Sequence, residues 1–227
     1  MELCVALDNP SAKENLALAH KLKDFDIWLK VGFRSYIRDG KDFLQELKVI
    51  NPNFKIFLDL KLYDIPNTMA DAADEIAKLD IDMFNVHASS GKKAMETVMQ
   101  RLQQYPKRPI VIAVTALTSF SDEQFTNIYG TDIDTKAIQF ATDTYDAGMD
   151  GVVCSVFESL NIKKHTSEKF ITLTPGIRPF GEDAADQQRV ADLAQAKNGL
   201  VDFIVVGRPI YKSSSPEIIV QKILDNI

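Results

Sequence analysis

The sequence predicts an α/β chain closed into a single-domain (β/α)8, or TIM, barrel spanning residues 1–227. Three observations carry that expectation. Eight short apolar runs recur along the chain, amphipathic stretches separate them, and polar residues gather where the runs end. A length of 227 residues suits one such barrel, and no Pro/Gly/Ser-rich linker or low-complexity tract divides it.

The first run is LCVALD (3–8), followed by SAKENLALAHKLKD, where Ser11 is a helix N-cap and Glu14 occupies the capping-box position. IWLKVG (27–32) and KIFLDLKL (55–62) are the second and third runs. NTMADAADEIAKL then places Met69, Ala72, Ala73, Ile76 and Leu79 on one helical face, read as core or subunit contact. MFNVHAS (83–89) and PIVIAVTAL (109–117) follow, then DTKAIQFATDTYDAG, a helix ending at Gly148. GVVCS (151–155), FITLTPGI (170–177) and FIVVGR (203–208) complete the eight, and PEIIVQKILDNI closes the chain as a helix. The runs are nearly unbroken in Val, Ile, Leu and Phe, as parallel strands covered by helices on one side and core on the other should be. An open doubly wound sheet is the competing arrangement. It is disfavoured because the first strand-to-helix turn, LDNPSAKEN, has no GxGxxG pattern.

Hydrophobic residues make up 45% of the chain and charged residues 26%, a balance that supports a packed core without staples. The net charge of −6 argues against a general nucleic-acid surface, so any phosphate is expected at one local site. Cys4 and Cys154 sit in apolar runs with no CxxC spacing and read as reduced core thiols. The N-terminus enters a strand pattern without a basic, then long apolar, leader, and no run approaches the roughly 18 apolar residues of a membrane span. A cytoplasmic protein with no membrane partner is expected. No HExxH and no Cys/His ligand spacing is present, so neither a metal nor an organic cofactor is expected.

In barrels of this class the chemistry lies at the C-terminal ends of the strands. Those ends carry Asp8, Lys30, Asp59 with Lys61, Asn85 with His87, Thr115 and Thr118, Pro175 with Gly176 and Arg178, and Gly207 with Arg208. The third run is the most informative. Side chains alternate across a strand, so Asp59 and Lys61 share a face while Leu58, Leu60 and Leu62 share the other. The leucines belong against the helices, which turns the charged pair into the barrel. Lys30, on the neighbouring strand, can join them. Asp64, in the following loop, can point back over the mouth or across to another subunit. A structural salt bridge would also account for one such pair. Inward orientation at the catalytic end, with two further charges in reach, favours a working site. His87 admits two readings, a hydrogen-bonded core histidine or a catalytic one. His20 and His165 read as surface residues, and Trp28 as core.

With those residues in place, the motif DLKLYDIPNT, preceded by LKVG and followed by VHAS, VTALTS, TPGIRP and VVGRPI, resembles the orotidine 5′-phosphate decarboxylase family over essentially the whole chain. The resemblance implies decarboxylation of orotidine 5′-monophosphate to uridine 5′-monophosphate, the last step of de novo pyrimidine synthesis, by a homodimer with shared active sites and no cofactor. It implies Lys61 as proton donor to C6 of the pyrimidine and Asp59 facing the departing carboxylate. Asp64 and Ile65 would reach the partner's site, with Thr68 touching the partner's nucleotide. Asp8 and Lys30 would bind ribose hydroxyls, Lys30 also bracing the charged array. Thr118 would touch the pyrimidine, Pro175 and Arg178 would stand at a lid, Gln187 would bridge base and phosphate, and Gly207 with Arg208 would hold the phosphate. Two departures are visible: Ser90 stands where a glycine is frequent, and Tyr63 where histidine is common.

The implied chemistry suits these residue types. Loss of CO2 leaves an electron pair on C6 in the ring plane, where the π system cannot delocalise it. Enzymes lower barriers by roughly 8–23 kcal/mol or more. One charge pair at 4 Å supplies about 4 kcal/mol at an effective dielectric near 20. A fixed ammonium therefore contributes part, and binding energy from the distant phosphate has to assemble the rest. TPGIRPFGED, with Gly176 and Gly181 as hinges, is the expected lid. Two competing functions share part of the motif: a Mg2+-dependent lyase of keto-sugar phosphates, which has the Asp59, Lys61 and Asp64 core, and a non-catalytic nucleotide-binding barrel.

Overall fold

The computed structural model describes residues 1–182 and 189–227. Eight parallel strands run β1 (Glu2–Ala6), β2 (Trp28–Gly32), β3 (Lys55–Leu62), β4 (Met83–His87), β5 (Ile110–Val114), β6 (Gly151–Val153), β7 (Ile171–Thr174) and β8 (Phe203–Val206). Each pairs with its sequence neighbours and β8 returns to β1, closing a barrel. The helices are α1 (Ala12–Lys21), α2 (Phe33–Ile50), α3 (Pro66–Ile76), α4 (Lys92–Leu102), α5 (Asp122–Tyr129), α6 (Ile133–Asp146), α7 (Val156–His165), α8 (Leu193–Asn198), α9 (Arg208–Tyr211) and α10 (Pro216–Leu224). The expected (β/α)8 fold is present. Most of the sequence runs overshoot the strands at their C-terminal ends, because residues such as Asp8, Ala116 and Leu117 leave the ladder to build the mouth loops; the third run matches β3 from end to end.

Strand alternation sorts the core into two shells. Leu3, Val5, Leu29, Val31, Ile56 and Leu58 face outward and pack under the helices. Cys4, Trp28, Phe57, Met83, Ile112 and Phe203 face inward and fill the barrel. One inward step higher come Ala6, Lys30, Asp59, Asn85 and Val114, so the apolar filling gives way to charge toward the mouth. Both cysteines are free and fully buried, and burial pushes both thiols up. On α1, Ser11 and Glu14 form the expected capping box. On α3 the buried face is Met69, Ala70, Ala73 and Ile76; Ala72 lies half-buried at its edge, a rotation of the expected stripe by part of a turn. Gly148 follows α6 with φ of 77°, a left-handed helix stop that favours glycine.

The opposite end of the barrel carries a repeated clasp. Asp82, Asp150 and Asp202 each stand one residue before β4, β6 and β8. Their carboxylates accept the amides of Ile56, Val111 and Thr172 at 2.8, 2.7 and 2.8 Å, in each case the second residue of the preceding strand. Their own amides donate back to the carbonyls of those residues. Lys48, Arg108 and Lys163 balance the three charges. This end is built for closure of the strand pairs, which leaves the other end to the chemistry.

Candidate active site

β3 departs from a plain strand in a way that sets the site. Between Leu58↔Phe84 and Leu62↔Val86, four steps along β3 match two along β4. The surplus is even, so it preserves which face each side chain takes, and Leu58, Leu60 and Leu62 all pack in the outer shell. The backbone absorbs it at Lys61, whose φ is 46°. That left-handed value is unusual for a residue with a β-carbon and is found where a site requires it.

Lys61 and Asp59 meet inside the barrel, Nζ to Oδ1, at 2.5 Å. Lys30 Nζ lies 3.4 Å from the other Asp59 oxygen and 3.2 Å from Asp8 Oδ1. Lys61, Asp59, Lys30 and Asp8 therefore alternate in charge along one line. Burial alone would raise the Asp59 carboxyl, but Lys30 and Lys61, with hydrogen bonds from Lys61 and Asn85, hold it below the usual carboxylate range. Burial would pull Lys30 down; Asp59 and Asp8 outweigh it and hold the ammonium above its ordinary value. Gly32 makes room for this arrangement, since a β-carbon there would stand 2.9 Å from Lys30 Nζ.

The array forms one wall of a cavity of about 290 Å³ at the C-terminal mouth. Thr118, Pro175, Arg178, Gly207 and Arg208 line the same cavity, with Val114, Val153 and Leu173 as its apolar floor. Gly207 leads directly into the short helix α9, which begins at Arg208. Ten of the residues singled out from sequence thus converge on one space: Asp8, Lys30, Asp59, Lys61, Thr118, Pro175, Gly176, Arg178, Gly207 and Arg208. Asp64, Ile65 and Thr68 do not line it. They are exposed on the loop and first turn after β3, where Asp64 accepts the Ile65 amide at 2.7 Å. Gln187 lies outside the described residues. Gly176 and Gly181 have φ of 81° and 83°, left-handed conformations at the two expected hinges.

Of the two readings of His87, the structure favours the architectural one. Its Nδ1 accepts the Ser89 amide at the start of the Ala88–Ser90 turn and stands 2.6 Å from the Ser89 hydroxyl. Burial, then the nearby Lys61 charge, lower its proton affinity. Two contacts escaped the sequence reading. Asn85 bridges Asp59 and Lys61. Arg189 pairs with the buried Glu158 and donates its amide to the Thr118 carbonyl, tying the Thr118 loop to the segment before α8. Asn85 was visible as a polar strand-end residue; nothing in the spacing of Glu158 and Arg189 signals their meeting.

A family model described as "Orotidine 5'-phosphate decarboxylase / HUMPS family" matches residues 1–223. The chain belongs to this orotidine 5′-phosphate decarboxylase / HUMPS family. Within it, the chain is 66% identical over 227 residues to an orotidine 5′-phosphate decarboxylase of Sulfurimonas denitrificans, covering all of both chains. It is 67% identical over the same length, again all of both chains, to one of a Nitratiruptor species. A crystal structure of orotidine 5′-phosphate decarboxylase from Lactobacillus acidophilus superposes with a TM-score of 0.85 at 31% identity, covering 99% of this chain and 98% of that one. Family membership accords with the barrel. Among the described residues, no helix is long and apolar enough to cross a membrane.

Proposed function

We propose that this chain decarboxylates orotidine 5′-monophosphate to uridine 5′-monophosphate and CO2, the last step of de novo pyrimidine synthesis, with residues 1–227 acting as one catalytic domain. The observation that carries the reading is the Lys61–Asp59–Lys30–Asp8 chain on one wall of a cavity whose rim also holds Arg178 and Arg208. An anionic nucleotide suits that division: cations at the rim for phosphate, polar groups for ribose and base, and a fixed ammonium–carboxylate pair at the reacting carbon.

In this reading the phosphate binds at Gly207 and Arg208, where a strand-8 loop and the start of a short helix offer N–H groups beside a guanidinium. Asp8 and Lys30 take the ribose hydroxyls, and Thr118 the pyrimidine. The substrate carboxylate then lies against Asp59. Two anions in contact disfavour the bound ground state more than a transition state in which the charge has moved to C6. The C6–carboxylate bond breaks, its electron pair stays on C6, and the Lys61 ammonium delivers the proton; solvent returns a proton to Lys61. No electron sink is required, so the reaction runs without metal or organic cofactor. Phosphate binding closes the segment from Pro175 over the cavity, with Gly176 and Gly181 as hinges; Arg178, which lines the cavity, stands at this lid, and Gln187 bridges base and phosphate.

The working unit is a homodimer in the cytoplasm. Asp64, Ile65 and Thr68 complete the partner's site, and this loop leaves two apolar side chains in the open, Tyr63 at 65% and Ile65 at 67% exposure. The test is loss of orotidine 5′-monophosphate absorbance with purified protein in excess EDTA. Turnover there supports the proposal. No turnover of the nucleotide, with Mg2+-dependent turnover of a keto-sugar phosphate in its place, favours that type of lyase. Binding of the nucleotide without any turnover makes the chain a nucleotide-binding barrel.

A further inference from the structure

The surplus residues in β3 create a problem of placement at Lys61. A left-handed residue inside a strand turns its amide away from the regular ladder, and a buried amide needs an acceptor. The acceptor is Asn85 Oδ1 on β4, 2.7 Å away. Through its other terminus, Asn85 Nδ2 donates to Asp59 Oδ1 at 2.8 Å. Lys61 Nζ donates to that same oxygen at 2.5 Å. A closed ring results: the Lys61 backbone is held by Asn85, Asn85 by Asp59, and Asp59 by the Lys61 side chain. Asn85 is fully buried and does not line the cavity.

Its chemistry suits both bonds. A carboxamide presents an acceptor and a donor on one rigid plane, so one side chain serves an amide N–H and a carboxylate together. Leucine or valine would serve neither. An ionised aspartate would accept from Lys61 and repel Asp59. A leucine-like filler would also leave the left-handed turn at Lys61 without its anchor.

We propose that Asn85 is a positioning residue for the decarboxylation: it fixes the backbone of Lys61 and the carboxylate of Asp59 together, so that the ammonium meets the reacting carbon. This rests on the function proposed above. Asn85 touches neither substrate nor the reacting atoms; it acts through the two residues that do.

The experiment compares wild type, N85A and N85D by steady-state decarboxylation from pH 5 to 8, with uridine 5′-monophosphate affinity measured by titration. N85A is expected to lose kcat by about 100-fold or more, the scale of a 1 Å misplacement, while product affinity stays within about threefold because the phosphate and ribose contacts are untouched. N85D carries the isosteric test should N85A fold poorly. When protonated, its new carboxyl both accepts from Lys61 and donates to Asp59; when ionised it cannot donate. Its kcat relative to wild type is therefore expected to rise as pH falls. A kcat of N85A within threefold of wild type, product affinity falling in parallel with kcat, or an N85D profile that parallels wild type would overturn the proposal. An inactive wild type in the same series would instead sink the function on which it rests.

Discussion

Asp59 is the hub of the array, and its charge can be removed with almost no change of shape by Asp59→Asn. In the wild type the carboxylate lies 2.5 Å from Lys61 Nζ and 3.4 Å from Lys30 Nζ. At an effective dielectric near 20 those contacts correspond to attractions of about 7 and about 5 kcal/mol. Most of that sum offsets the desolvation of three charged groups, and the Lys61 side chain, 28% exposed, retains some water. The asparagine keeps an oxygen for Lys61. What remains is two ammonium groups facing each other with no anion between them, and Lys30 left with the half-exposed Asp8. A loss of about 3–4 kcal/mol is expected at pH 7, a fall in Tm of about 6–15 °C for a chain of this size. The pH dependence provides the sharper check. The folded Asp59 carboxyl lies below its ordinary value, so its stabilisation is present above roughly pH 4 and lost as pH falls through the lower folded value. Lys30 lies above its ordinary value; its contribution is full below roughly pH 10.5 and does not change across the acid range. The gap between wild type and D59N should thus be full at pH 7 and narrow below about pH 4. Urea unfolding at fixed protein concentration, followed through the single, buried Trp28 on β2, measures it. Equal stability at pH 7, or a gap that stays constant down to pH 3, would refute the electrostatic reasoning.

Gly32→Ala keeps an allowed backbone, with φ of −94°, but sets a methyl 2.9 Å from Lys30 Nζ; we expect kcat to fall about tenfold or more with Tm little changed, and an unaltered kcat would show the ammonium has room to spare. Asp150→Ala removes one clasp at the far end, leaving the Val111 amide and Arg108 without the carboxylate. It should cost about 1–3 kcal/mol of stability with kcat intact, and a matching loss of kcat would contradict the separation of the barrel's two ends. Arg208→Ala should raise KM about 10- to 100-fold, the loss of one charge-assisted phosphate contact; an unchanged KM counts against the assigned phosphate site. Inactive K61A and D64A chains, mixed and allowed to exchange, should recover about a quarter of wild-type activity, since half the dimers are mixed and each then has one intact site. No recovery in dimers shown to exchange would place Asp64 outside the partner's site.

Much of the architecture was legible because it depends on local rules. Unbroken apolar runs marked buried parallel strands, and alternation along KIFLDLKL put Asp59 and Lys61 inward, which the two apolar shells bear out. The four steps of β3 that match two of β4 were not legible. They left the parity intact, so a plain alternating strand reached the right faces without revealing the strained backbone at Lys61. The helical face of α3 was misjudged by one position, Ala70 for Ala72, because packing against a neighbour chooses among residues that a period of 3.6 leaves nearly equivalent.

The sequence by itself determined the succession of strands and helices along the chain, the inward and outward faces and, through its motifs, the family, since all of these follow from residue types at short spacing. Only the tertiary structure decided what the charged groups touch. Asn85 lies 24 residues from Lys61 and 26 from Asp59, and Arg189 lies 31 from Glu158. Such pairs meet only when the barrel closes and fixes each strand's register against the next. That register, a property of the whole ring of strands, sets the distances on which the site depends.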